Sequence, residues 1–128
     1  MDIIRKIKEK LSRYPAVRFS EGRGAIEIHP ADESGFKVSL RVLASGFLVH
    51  FDGWHEEFAS EADALNCLAF GLSAECRLAV VLRGNTPVKW TLESLEDQGW
   101  TSDSEVGLLL QPFWRRPRVV YRQNHVVR

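Results

Sequence analysis

A chain of 128 residues, 45% hydrophobic and 27% charged, can bury one core without disulfides or metal. Cys67 and Cys76 are too few for a disulfide scaffold and match no zinc or redox spacing, so both read as reduced thiols. Charges at Arg5, Lys6, Lys8, Glu9 and Lys10 interrupt any leader-like run. No segment reaches the roughly 20 apolar residues of a membrane span, and the expectation is a cytoplasmic protein with no membrane partner.

Net charge is zero but unevenly spread. Residues 1–13 carry +3, residues 14–111 carry −8, and from Pro112 onward five arginines stand without an acid. The plain expectation is that the basic ends fold over the acidic body. A basic patch for an anionic partner is the sharper one, although overall neutrality argues against a nucleic-acid partner.

In chain order, Ile3, Ile4, Ile7 and Leu11 recur at helical spacing and predict an amphipathic helix over 2–12. Pro15 stops it. About three turns are too short to stand alone, so the stripe must dock on its own sheet or on a partner. Strands are expected at Val17–Ser20, Ala25–His29, Phe36–Leu43 and Phe47–Asp52. The third alternates Phe36, Val38, Leu40 and Val42 with Lys37, Ser39 and Arg41, and the fourth alternates Phe47, Val49 and Phe51 with Leu48, His50 and Asp52. Their hairpin has two registers. A turn on Ala44-Ser45 sets Lys37 opposite Asp52 and Ser39 opposite His50, whereas Ser45-Gly46 sets Arg41 opposite His50.

Ser60 is a helix cap, with Glu61 and Asp63 suited to the first turn of a helix running to about Leu72. Gly71 is expected to give a left-handed exit. Strands follow at Arg77–Arg83 and Val88–Glu93, joined by Gly84-Asn85-Thr86-Pro87. A polar loop is expected over Ser94–Glu105, then strands at Val106–Gln111 and Arg118–Gln123. The order of helix, four strands, helix and about four strands predicts an α+β fold: one domain over 1–123, a curved, mainly antiparallel sheet with helices on one face, and a frayed tail over 124–128.

Phe47–Phe58 ends in two histidines, three carboxylates and a tryptophan. His50, Asp52, His55 and Glu56 are its candidates for acid–base or metal chemistry, with His29 able to join. The spacing is not His-Glu-x-x-His and Gly53 bends the chain between the groups, so no metal or cofactor is expected. No serine lies in a Gly-x-Ser-x-Gly turn, and neither cysteine has an activating environment. Gly22-Arg23-Gly24 and Arg83-Gly84-Asn85 read as hairpin turns without P-loop chemistry.

The aromatic load points elsewhere. Trp54, Trp100 and Trp114 fall in or beside expected turns, and Phe113-Trp114-Arg115-Arg116-Pro117-Arg118 interleaves rings with guanidiniums. Such residues suit stacked bases, but they are also the usual composition of a protein interface. Binding is therefore favoured over catalysis. The partner would be another protein or a second copy, through a sheet edge or the first helix, with Trp54, Trp100, Phe113, Trp114, Arg115, Arg116 and Arg118 as contacts. The runner-up is a small-ligand or enzymatic pocket between sheet and helix near Trp54, His55 and Glu56.

Overall fold

The opening stripe forms the helix its spacing predicts. In the computed structural model, which describes residues 2–126, α1 (Ile3–Leu11) is capped by Asp2, whose carboxylate accepts the Arg5 amide at 3.0 Å. Lys8 and Lys10 in its last turn complement the helix dipole. Ile3, Ile4, Ile7 and Leu11 are all buried in the chain's own core, so this face is not free for a partner.

Strands β1 (Arg18–Gly22), β2 (Ala25–His29), β3 (Val38–Leu43), β4 (Gly46–Phe51) and β5 (Trp54–Phe58) form an antiparallel meander in that order. The β3–β4 hairpin turns on Ala44-Ser45, so Ser39 faces His50. Past the strand end, the Asp52 amide donates to the Lys37 carbonyl at 3.0 Å, and the Asp52 carboxylate accepts the Lys37 amide at 3.0 Å. Of the two registers left open by the pattern, the structure takes the first.

The fifth strand corrects the expected knot of polar groups. Asp52-Gly53 is a tight turn, and Trp54–Phe58 pairs back on β4. Its run of His55, Glu56 and Glu57 hides the alternation, because an edge strand can carry polar residues on both faces.

Helix α2 (Glu61–Gly71) starts where expected, with the Asp63 amide donating to Ser60 Oγ at 3.3 Å. Its end differs. Gly71 has no positive φ, and the helix exits through Leu72 in the right-handed region. Glycine is needed there because a Cβ would collide with the Phe51 ring.

Strands β6 (Cys76–Arg83), β7 (Thr86–Glu96), β8 (Gly99–Gly107) and β9 (Pro117–Arg122) form a second antiparallel sheet in the order β8-β7-β6-β9. The architecture is α+β and antiparallel, but with two sheets in place of one. The expected Ser94–Glu105 loop is instead the β7–β8 hairpin, turning at Asp97-Gln98. The expected Val106–Gln111 strand ends at Gly107. The alternation that marks a half-buried strand is missing from β8, because Thr101–Glu105 is exposed at every position.

Both sheets feed one core: Ile26, Leu40 and Phe51 from the first meet Leu78, Val80 and Leu82 from the second. α2 packs against β3, β4, β5 and β6, and α1 packs against α2. Among the described residues no helix is long and apolar enough to cross a membrane.

The expected fraying from Asn124 is also corrected. Asn124 is buried: its side-chain oxygen accepts the Phe36 amide, and its amide group donates to the carbonyls of Phe36 and Gly71, each at 3.1 Å. The Val126 amide donates to the Leu72 carbonyl at 2.9 Å. The rest of the expected tail, residues 127 and 128, lies outside the described residues.

Candidate functional site

The histidine-carboxylate segment does not converge. His50 and His55 face one another across β4 and β5, with ring centroids 5.2 Å apart. Burial lowers the His50 pKa, and the charges of His55, Arg41 and Lys37 lower it further. Asp52 leaves the strand with φ 52° and turns to the Lys37 amide, with Arg122 at 3.7 Å. Burial raises its pKa; the Lys37 amide, Arg122 and the Lys37 charge oppose the rise. His55, Glu56 and Glu57 are exposed. His29, on the far side of β3, hydrogen-bonds Ser20 at 3.0 Å. Among the described residues no group of three or more His, Cys, Asp or Glu could hold a metal.

Trp54 is the clearest departure. Expected as a partner contact beside a turn, it is 2% exposed and stacked on Phe51 at 4.8 Å. Its indole N–H donates to Ser104 Oγ at 2.9 Å, tying β5 to β8. A turn residue becomes a core residue because β8 passes beside it.

The cysteines are chemically quiet. Burial, then the Glu56 charge, pushes the Cys67 thiol up to about 12, and burial raises Cys76 as well. Thiolate chemistry needs the opposite shift.

On the second sheet, the Arg77 guanidinium lies between the Trp100 ring at 4.3 Å and the Tyr121 ring at 4.1 Å. Its Nε donates to Glu93 at 2.6 Å. Trp100 is thus half-buried in an internal cation–π stack, which consumes one face that the sequence offered to a partner. Arg77 and Tyr121 lie on paired strands far apart in sequence, and no local pattern announces the stack.

The segment between β8 and β9 behaves otherwise. Arg83 holds it from beneath: Nε donates to Gln111 Oε1 and Nη1 to the Arg115 carbonyl, each at 3.2 Å, with the guanidinium 5.1 Å from the Phe113 ring. The Arg115 side chain lies against Gly84. Above this fixed backbone the apolar side chains are open: Leu109 is 93% exposed, Leu110 90%, Trp114 82% and Phe113 64%. Leu109 and Leu110 escaped the sequence reading, which placed them in a strand. Three leucines in a row directly before Gln111-Pro112, with no alternation, were the available signal.

Arg115 and Arg116 are exposed and have no ion-pair partner among the described residues. Arg118 turns away, into a cleft of about 460 Å3 where Lys37 and Arg122 stand with Asp32, Glu33 and Asp52. The basic ends do meet the acidic body in part, through Lys6–Glu61 at 3.0 Å, Lys8–Glu21 at 2.9 Å and Arg122–Asp52. Of the seven expected contacts, Phe113, Trp114, Arg115 and Arg116 share one exposed loop. Trp100 and Arg118 face elsewhere, and Trp54 is buried. Comparison with family models, with curated proteins and with solved structures finds no match for this chain.

Proposed function

We propose that this chain is a non-catalytic protein-interaction module whose contact surface is Leu109, Leu110, Phe113 and Trp114, flanked by Arg115 and Arg116. The observation that carries the reading is the exposure of four large apolar side chains, from 64% to 93%, on a loop whose backbone is anchored by Arg83. Contiguous apolar surface of this kind marks interfaces, and a pre-held backbone lowers the ordering cost of binding. The unpaired arginines favour a partner with carboxylates beside an apolar pocket. A second copy supplies the carboxylates, because residues 14–111 carry a net −8.

Sedimentation equilibrium over a concentration series tests it, with Leu110→Glu and Trp114→Glu beside the wild type. Reversible dimerisation lost in both variants is the expected result. A wild type that stays monomeric throughout, or variants that associate equally well, would overturn it. Wild type and an Arg115→Gln/Arg116→Gln variant titrated with a fluorescent single-stranded oligonucleotide address the rival use of Phe113–Arg118. Binding there that depends on Arg115 and Arg116 and falls with salt would make nucleic acid the partner.

The runner-up, a pocket at Trp54, His55 and Glu56, has less support. Trp54 closes the core, and none of the three clefts described for the molecule is lined by these residues.

A further inference from the structure

We infer a separate binding site for a small organic anion with an apolar body, in a cleft of about 540 Å3 where the α1–β1 link, the end of β2 and the C-terminal segment meet. Arg13, Arg18, His29 and His125 line it together with Tyr14 and Val17, and among the described residues no carboxylate lines it. The volume lies within the roughly 300–1,000 Å3 of small-molecule sites. It lies apart from the Leu109–Trp114 loop and does not depend on the interaction reading.

The charge pattern selects the ligand. Neither Arg13 nor Arg18 has an ion-pair partner among the described residues. Asp32 lies close enough to His125 to feel its charge, but its carboxylate is already engaged by the Ser34 amide and hydroxyl. Positive groups beside low-dielectric walls keep their potential, and guanidinium forks match carboxylate and phosphate geometry. The cleft of Asp52 and Arg122 differs, since charges of both signs there answer one another. Tyr14 and Val17 would hold a ring or a short chain. His29 is fixed by Ser20 through Nε2, and Nδ1 makes no bond among the described residues.

The cleft is built before any ligand arrives. The Tyr14 amide donates to Leu11 and the Val17 amide to Tyr14, each at 2.9 Å, which fixes the link. The Asn124 clamp and the Val126–Leu72 bond bring His125 and Val126 to the opposite wall. Pre-held walls of this kind spare a ligand the cost of ordering them.

Naphthyl phosphate is a suitable probe, titrated into the wild type and followed by amide chemical shifts and calorimetry. Naphthalenemethanol and inorganic phosphate serve as half-ligands. Saturable shifts at Tyr14, Arg18, His29 and His125 are expected, with both half-ligands weaker than the whole. Arg13→Gln with Arg18→Gln should weaken binding by about ten-fold or more without altering the melting temperature. Trp114→Glu should change nothing. Equal binding of the neutral alcohol, indifference to the double arginine variant, shifts confined to the Leu109–Trp114 loop, or no binding would each overturn the assignment.

Discussion

Trp54 and Trp114 both stand beside turns, each near a phenylalanine, yet they end in opposite surroundings. Trp54 stacks on Phe51 and donates to Ser104, whereas Trp114 is 82% exposed. The difference lies in what the chain places over each turn. β8 returns beside β5 and closes the first, while the loop carrying the second is held from below by Arg83 and leaves Trp114 uncovered. A turn with a tryptophan is a local property. Whether it becomes core or surface is decided by a segment far away in sequence.

The largest effect should fall on this pair. Trp54→Ala removes a buried aromatic and is expected to cost about 3–5 kcal/mol. Trp114→Ala should lie within about 0.5 kcal/mol of wild type while weakening association. Urea denaturation read beside sedimentation separates the two. A large stability loss at Trp114 would break the comparison.

Asn124 and its neighbour sharpen the same contrast within adjacent positions. Asn124→Ala strips partners from Phe36 N–H, Phe36 C=O and Gly71 C=O, and is expected to cost about 2–3 kcal/mol. His125→Ala, at an exposed position, should be near neutral in the same denaturation series. A tail that truly frayed would show no difference between them.

Smaller again is Gly71→Ala. An alanine ordinarily strengthens a helix, but here its Cβ meets the Phe51 ring, so a destabilisation of about 1–3 kcal/mol is expected. A gain in melting temperature would mean that Phe51 can move aside.

These positions also show what was legible. The Ile3–Leu11 stripe, the Ser60 cap, the faces of β3 and β4, and β2 with its observed bounds all follow from local period and cap chemistry. β5 and β8 were hidden because edge strands need no apolar face of their own. The split into two sheets, the Arg77 stack and the Asn124 clamp depend on partners far apart in sequence. At the proposed surface the aromatics and arginines were visible, but their exposure was not: Trp54 and Trp114 carry the same local signature. The Arg13–His125 cleft was invisible, since the link, β2 and the tail meet only in space.

The finest comparison is between His50 and Asp52, two neighbours that burial shifts in opposite directions. The neutral form is favoured in both cases. His50, lowered from 6.5, binds fewer protons folded than unfolded, so stability falls as pH drops through 6.5, and the loss is complete below its folded value. Asp52, raised from 3.8, binds protons more readily when folded. Stability therefore falls as pH rises through 3.8, and that cost is fully present above its folded value. His50→Gln should lose less stability than wild type on acidification through 6.5. Asp52→Asn keeps an acceptor for the Lys37 amide and tolerates the positive φ, and it forfeits only a long contact to Arg122. It should match or exceed wild type at neutral pH, and its advantage should shrink as pH falls toward 3.8. Denaturation midpoints measured across that range would show two curves departing from wild type in different windows. Parallel curves for Asp52→Asn and wild type would mean that the Asp52 carboxylate is effectively solvated, and that the turn beside Trp54 is more open than its neighbour's burial implies.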